Sequence, residues 1–172
     1  MWDFFETVRH RHSVRRYQDT PVEEEKLHAV LEMACAAPSA GDLQAYHIIV
    51  VRNSPLRQTL QLAADNQSFI SEAPVCLVFC ADPARSAEKY AERGRTLYAL
   101  QDATISATYA QLAVVAAGMA STWVGHFDVD RVADALQLEG GLTPIAMLSI
   151  GYPAELPAPS PRRRLEEMIS YT

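Results

Sequence analysis

Apolar positions along the chain follow two periods, and switching between them divides the sequence into elements. Trp2, Phe5 and Val8 recur every three residues, which predicts a short amphipathic helix over residues 2–9. Ser13-Val14-Arg15-Arg16-Tyr17 reads as a brief extended segment. A helix is expected to begin at Thr20-Pro21, since proline suits a first turn and Glu23, Glu24 and Glu25 complement the positive end of the dipole. Its buried stripe would be Leu27, Val30, Leu31 and Ala34, and Pro38-Ser39-Ala40-Gly41-Asp42 forms the loop that follows. His47-Ile48-Ile49-Val50-Val51 is short and β-branched, as a buried strand should be. Ser54-Pro55 caps a helix that runs to Ala64, and a second apolar strand covers residues 75–81. Asp82-Pro83 then begins a polar helix ending near Gly94.

Residues 96–119 form the longest periodic segment, with alanine at 99, 103, 107, 110, 113, 116 and 117. Its second half is apolar on nearly every face, which demands burial on all sides and points to close packing against a helix of a second subunit. A strand over 120–124, a helix over 128–136 and a strand over 146–150 complete the domain. Four prolines between 153 and 161 exclude helix and inner strand, so this stretch is expected to be an extended arm of the kind that wraps a neighbour. A short helix is expected over 165–171. The alternation gives an α+β fold (an α/β sandwich) in a single domain over residues 1–172.

Composition narrows the function classes. With 172 residues, 49% of them hydrophobic, the chain is long enough to bury roughly 70% of its unfolded surface, and disorder is excluded. A net charge of −6 disfavours general nucleic-acid binding. Only Lys26 and Lys89 are lysines among the 15 basic residues, and seven arginines lie at the ends: Arg9, Arg11, Arg15, Arg16, Arg162, Arg163 and Arg164. They are either scattered solvated charge or a site, because arginine suits bidentate recognition of phosphate or carboxylate. Cys35, Cys76 and Cys80 have no CxxC spacing and are expected to be buried free thiols, Cys76 and Cys80 on one strand face. Without a signal peptide or a membrane-length apolar run, the chain is expected to be soluble and cytoplasmic.

The motifs of Rossmann, P-loop, zincin and serine-hydrolase enzymes are missing. His10 and His12 lie two apart among cations, with no nearby carboxylate pair, so no metal site is expected. In Arg11-His12-Ser13-Val14-Arg15, an extended backbone would place Arg11, Ser13 and Arg15 on one face, two guanidinium forks around a hydroxyl. That is a cradle for a phosphate. Pro38-Ser39-Ala40 is a loop of small residues that lets backbone approach a flat ligand, with the two-sided amide of Gln44 nearby.

These residues resemble the nitroreductase family of FMN-dependent oxidoreductases. The matching stretches run collinearly over almost the whole chain. They include Arg11-His12-Ser13-Val14-Arg15-Arg16-Tyr17, Pro38-Ser39-Ala40-Gly41-Asp42-Leu43-Gln44, Ala117-Gly118-Met119 leading to Trp123-Val124-Gly125, Ile150-Gly151-Tyr152-Pro153 and Pro161-Arg162-Arg163-Arg164. The resemblance implies a mixed central sheet flanked by helices, a long dimerisation helix, and a homodimer with FMN at the interface. Arg11, His12, Ser13 and Arg15 match positions around the phosphate and ribityl chain. Pro38, Ser39 and Ala40 match the loop along the isoalloxazine, and Gln44 a side chain reaching the flavin from the partner. Val124, Gly125 and His126 fall where a backbone N–H faces the hydride-accepting nitrogen, and Arg162 and Arg163 match arginines that return to the phosphate.

Asp42 stands where the family commonly has Asn, and Ala45 where it commonly has Pro. An inward carboxylate would lower the flavin potential, and loss of proline is expected to relax the loop. Asp102 is expected to be a structural acceptor, Trp123 and Phe127 to be core, and Tyr90 and Arg93 to cap the substrate space. The implied activity is reduction of electron-poor acceptors, nitroaromatics or quinones, by NAD(P)H in a ping-pong cycle, the flavin carrying the chemistry with no catalytic side chain. The alternatives are a specialised flavin enzyme of the same fold (dehalogenase or flavin-fragmenting), a non-catalytic flavin-binding dimer, and an arginine-ended protein docking on an acidic partner.

Overall fold

In a computed structural model of the chain, residues 3–172 are described; Trp2, assigned above to the first helix, lies outside them. Strand β2 (Val75–Ala81) is buried along its whole length because both its faces are covered. Val75, Leu77 and Phe79 pack on one side with Leu27, Val30 and Ala34, Ala107, Ala110 and Val114. Cys76, Val78 and Cys80 pack on the other with Leu60, Ala63, Ile70 and Val132. The two-residue period of the strand thus feeds two cores, and an unbroken apolar run is what such a strand needs.

β2 pairs with β1 (Tyr46–Val51) on one side and β4 (Thr143–Gly151) on the other, and β3 (Ala120–Val124) closes the sheet in the order β1-β2-β4-β3. All three pairings are antiparallel. The four strands thus form an antiparallel sheet, not the mixed one implied by the resemblance, and among the described residues the one parallel pairing is an isolated bridge between Ser13 and Ser121. Helices α2 (Glu24–Cys35) and α6 (Ala99–Ala116) cover one face. The other is covered by α3 (Ser54–Ala63), the short α4 (Phe69–Glu72) and α7 (Val129–Leu136). Helix α1 (Phe4–His10) starts at an Asp3–Glu6 capping box. Helix α5 (Pro83–Arg93) is capped by Asp82 and followed by a π-helical turn, Gly94–Tyr98, that leads into α6.

Five expectations need correction. Helix α2 begins at Glu24, because Glu23 is the cap residue and its carboxylate accepts from the Tyr152 hydroxyl at 2.6 and 2.9 Å. β1 is a half-exposed edge strand, fully buried only at Val51, since nothing among the described residues pairs with its outer side. β4 starts three residues earlier than the apolar run, as Thr143 and Pro144 oppose Ala81 and Cys80. Cys35 is exposed, while Cys76 and Cys80 are buried on one face. The C-terminal helix is a single 3-10 turn, Leu165–Glu167. In one chain alone, a flank of α6 is left uncovered, with Leu100 45% exposed and Tyr109 41%. No helix among the described residues is long and apolar enough to cross a membrane.

Where the chain end meets the sheet, Gly151 is obligatory. A β-carbon there would lie 2.8 Å from Pro74 and 2.9 Å from the Tyr17 ring. Burial pushes the Cys76 thiol up to about 12 and that of Cys80 to about 11. Both are raised above their unfolded values, so the stability they contribute is full below the ordinary thiol range and is lost as pH climbs from there through about 11 and 12. An aromatic disulfide reagent at pH 8 should titrate one thiol, Cys35, in the folded protein and all three in guanidinium. Phe79→Ala, emptying the centre of one core, should lower unfolding free energy by about 3–5 kcal/mol in denaturant titrations.

Candidate functional site

Val14 organises the first half of the site. Its side chain is buried, its N–H donates to Ser121 O at 3.2 Å, and its carbonyl accepts from the Tyr17 hydroxyl at 2.8 Å and from the Thr122 hydroxyl. With Val14 turned inward, Arg11, His12, Ser13 and Arg15 line a cleft of about 570 Å³. Its opposite wall is the proline arm, Pro157 to Ser160 with Arg162. The two arginine-rich ends therefore meet within one chain.

That cleft is strongly cationic. Arg9, Arg11, Arg15 and Arg162 all line it, no carboxylate does, and none of the four forms an ion pair among the described residues. Arg15 lies over the Phe69 ring at 5.7 Å, and Arg162 donates to the carbonyls of Ser160 and Pro161. Ser121, bridged to Ser13, keeps a buried hydroxyl with no hydrogen-bond partner among the described residues. Uncompensated guanidinium groups around small hydroxyl side chains are a donor set for a phosphate monoester, so the residues present fit FMN. Arg163 is engaged elsewhere, by Glu167 at 3.2 Å, and Arg164 also pairs with Glu167, so only Arg162 of this trio reaches the cleft.

The second half lies at the other edge of the sheet. Pro38 and Ser39 lead into a 3-10 turn, Ala40–Asp42, directly before β1. Asp102, on α6 and 1% exposed, accepts from Ala40 N–H at 2.9 Å and from Ala45 N–H at 3.4 Å. Gly41, Asp42 and Gln44 all adopt left-handed backbone angles, a conformation costly for the two non-glycine residues. The Ser39 hydroxyl accepts from Gln44 N–H at 2.9 Å, and the Gln44 amide donates to the Asp42 carboxylate at 2.6 Å. Asp42 is thus turned onto its own loop. Ala45 supplies an N–H, which proline lacks, and that N–H ties the segment to Asp102.

Val124 is buried at the end of β3, Gly125 and His126 are exposed just beyond it, and His126 meets Asp65 at 2.8 Å. Trp123 packs on one core and Phe127 on the other. Asp102 has the role expected of it. The contributions of Ser121 and Thr122 were missed, because serine and threonine in a strand carry no pattern of their own.

The chain is thus an α+β protein with a cationic cleft at one sheet edge, whose donors suit a phosphate, and a tied small-residue loop at the other. The family model described as the nitroreductase family matches residues 8–67 and 57–152. The chain is 34% identical to an NADH dehydrogenase of Thermus thermophilus, covering 92% of this chain and 91% of that one. To the FMN reductase (NADPH) of Bacillus subtilis it is 27% identical, over 91% of this chain and 68% of the relative. A nitroreductase family protein of Streptococcus pneumoniae shares the fold at a TM-score of 0.89 and 24% identity, over 99% of this chain and all of the other. The chain belongs to the nitroreductase family and is an FMN-dependent NAD(P)H oxidoreductase.

Asp102→Ala would leave two N–H groups without their charged acceptor and should cost about 3 kcal/mol. Asp102→Asn, keeping one acceptor oxygen, should cost less. Amide exchange over residues 39–45 should quicken in both variants, more in the alanine one.

Proposed function

We propose that two copies of this chain pair along α6 and hold FMN where the Arg11–Arg15 segment of one meets the 38–44 loop of the other. There NAD(P)H and an electron-poor acceptor of nitroaromatic or quinone type take turns. One observation carries this reading: the two halves of the site lie at opposite edges of a single sheet, with fully buried Phe79 and Leu148 between them. Within one chain the buried core separates the halves, whereas a second copy would bring each half to the other. An apolar groove of about 590 Å³ along α6, lined by Phe4, Met33, Tyr109, Leu112 and Ala113, supports pairing there.

Bound FMN supplies the capacity to accept an electron pair from a dihydronicotinamide and to pass it on. The chain does the rest. Arg11, Arg15 and Arg162 hold the phosphate, with Ser13 and His12 beside the ribityl chain. Pro38, Ser39 and Ala40 present backbone and small side chains to the ring, held firm by Asp102, and Gln44 offers its amide once it leaves Asp42. Gly125, without a side chain, lets the backbone after Val124 approach the ring closely. The concentration of guanidinium groups favours the more negative, reduced state of the site. A cytoplasmic location suits the exposed free thiol of Cys35 and a reaction fed by NAD(P)H.

The purified protein should be yellow, elute at twice the mass of one chain, and lose its colour on mixing with NADH or NADPH under anaerobic conditions. Arg11→Ala and Arg15→Ala should each weaken FMN binding roughly 10- to 100-fold. Initial rates with donor and acceptor both varied should give parallel reciprocal plots. A monomer that takes up no added FMN would sink the reading, and bleaching by neither nicotinamide would leave a flavin-binding dimer without turnover.

A further inference from the structure

Helix α5 carries cations that the phosphate cleft does not use. Arg85 donates through Nε to Leu43 O, which fastens the helix to the 38–44 loop. Next to it, a β-carbon built on Gly41 would fall 2.7 Å from Lys89 Nζ and 2.4 Å from the Tyr90 hydroxyl, so these two side chains stand directly over the loop. Lys89 lies 5.5 Å from the Tyr90 ring centroid. Tyr90 and Tyr98 meet edge to face at 5.0 Å. Arg93 lies 5.4 Å over the Tyr98 ring and donates to its hydroxyl at 2.9 Å. The result is a ladder of cation, ring, ring and cation.

Two backbone features hold the ladder in place. Ala91 has a left-handed φ of 47° within α5, which redirects the chain between Lys89 and Arg93. The π turn packs so closely on α5 that a β-carbon at Gly94 would fall 2.3 Å from Ser86 O. Both cations lie against tyrosine rings, and neither Lys89 nor Arg93 pairs with a carboxylate among the described residues. Glu92 faces Arg95 instead. In a chain of net charge −6, two restrained, unneutralised cations beside the ring-facing loop form a local anion site.

We infer that Lys89 and Arg93 bind the diphosphate of NAD(P)H and so fix the donor's adenosine half while its nicotinamide reaches the loop. The inference rests on the proposed function above. Of the two substrates in that reaction, only the dinucleotide carries phosphates; nitroaromatic and quinone acceptors give these cations nothing to hold. The diphosphate is common to NADH and NADPH, so the site serves both donors.

Two measurements on the FMN-loaded protein test this. The first compares NADH and NADPH with 1-benzyl-1,4-dihydronicotinamide, a donor without phosphate. In Lys89→Gln/Arg93→Gln, the ratio of kcat/KM for either dinucleotide to that for the benzyl donor should fall roughly tenfold or more, chiefly through KM. The second is calorimetric titration with ADP-ribose, which needs no turnover: binding should be seen in the parent, weaken with added salt, and be lost in the double variant. The flavin spectrum and thermal midpoint of the variant report that it is folded and loaded. An unchanged ratio together with unchanged ADP-ribose binding overturns the inference. Failure of the parent to oxidise even the benzyl donor overturns the proposed reaction instead, and ADP-ribose binding still decides the site.

Discussion

Burial of β2 on both faces is the constraint from which the architecture follows. A strand with Val75, Leu77 and Phe79 on one side and Cys76, Val78 and Cys80 on the other must be central, so helices are required on both sides of the sheet. Its neighbours β1 and β4 are fixed by register, and β3 is pushed to the edge. That edge receives the N-terminal segment through the Ser13–Ser121 bridge, while the 38–44 loop is delivered to the other. The placement of the two site halves is therefore a consequence of how the core divides.

Small polar anchors turn this frame into a site. The carbonyl of Val14 accepts two hydroxyls, which leaves the alternate side chains of the segment no choice but to face outward. Asp102 does the same for the loop from within α6. Both anchors are buried, where a missing partner costs more than a made bond contributes, and this makes the outward-facing geometry stiff. The Tyr17 hydroxyl, pushed up to about 12 by burial, stays a neutral donor throughout the physiological range.

Much of this was legible in the sequence. The limits of β2 and β3 agree to the residue because each is a β-branched or apolar run between clear breakers. The start of α2 was misplaced since Glu23 serves a long-range contact with Tyr152, which no local pattern encodes. β1 looked like an inner strand because its composition is apolar on both faces, and only sheet order reveals an edge. The cationic cleft followed from the clustering of arginines at both ends, and the ordered motifs gave it a ligand. Which arginine would be diverted depended on Glu167, a choice made by one turn of helix. The ladder on α5 needed a left-handed alanine and a π turn, neither of which leaves a signature in composition.

The bond from Ala45 N–H to Asp102 makes positions 45 and 102 epistatic. Proline at position 45 would remove the donor and take this partner from one carboxylate oxygen of a buried residue. A residue with the more rigid backbone would then loosen the loop unless residue 102 changed with it.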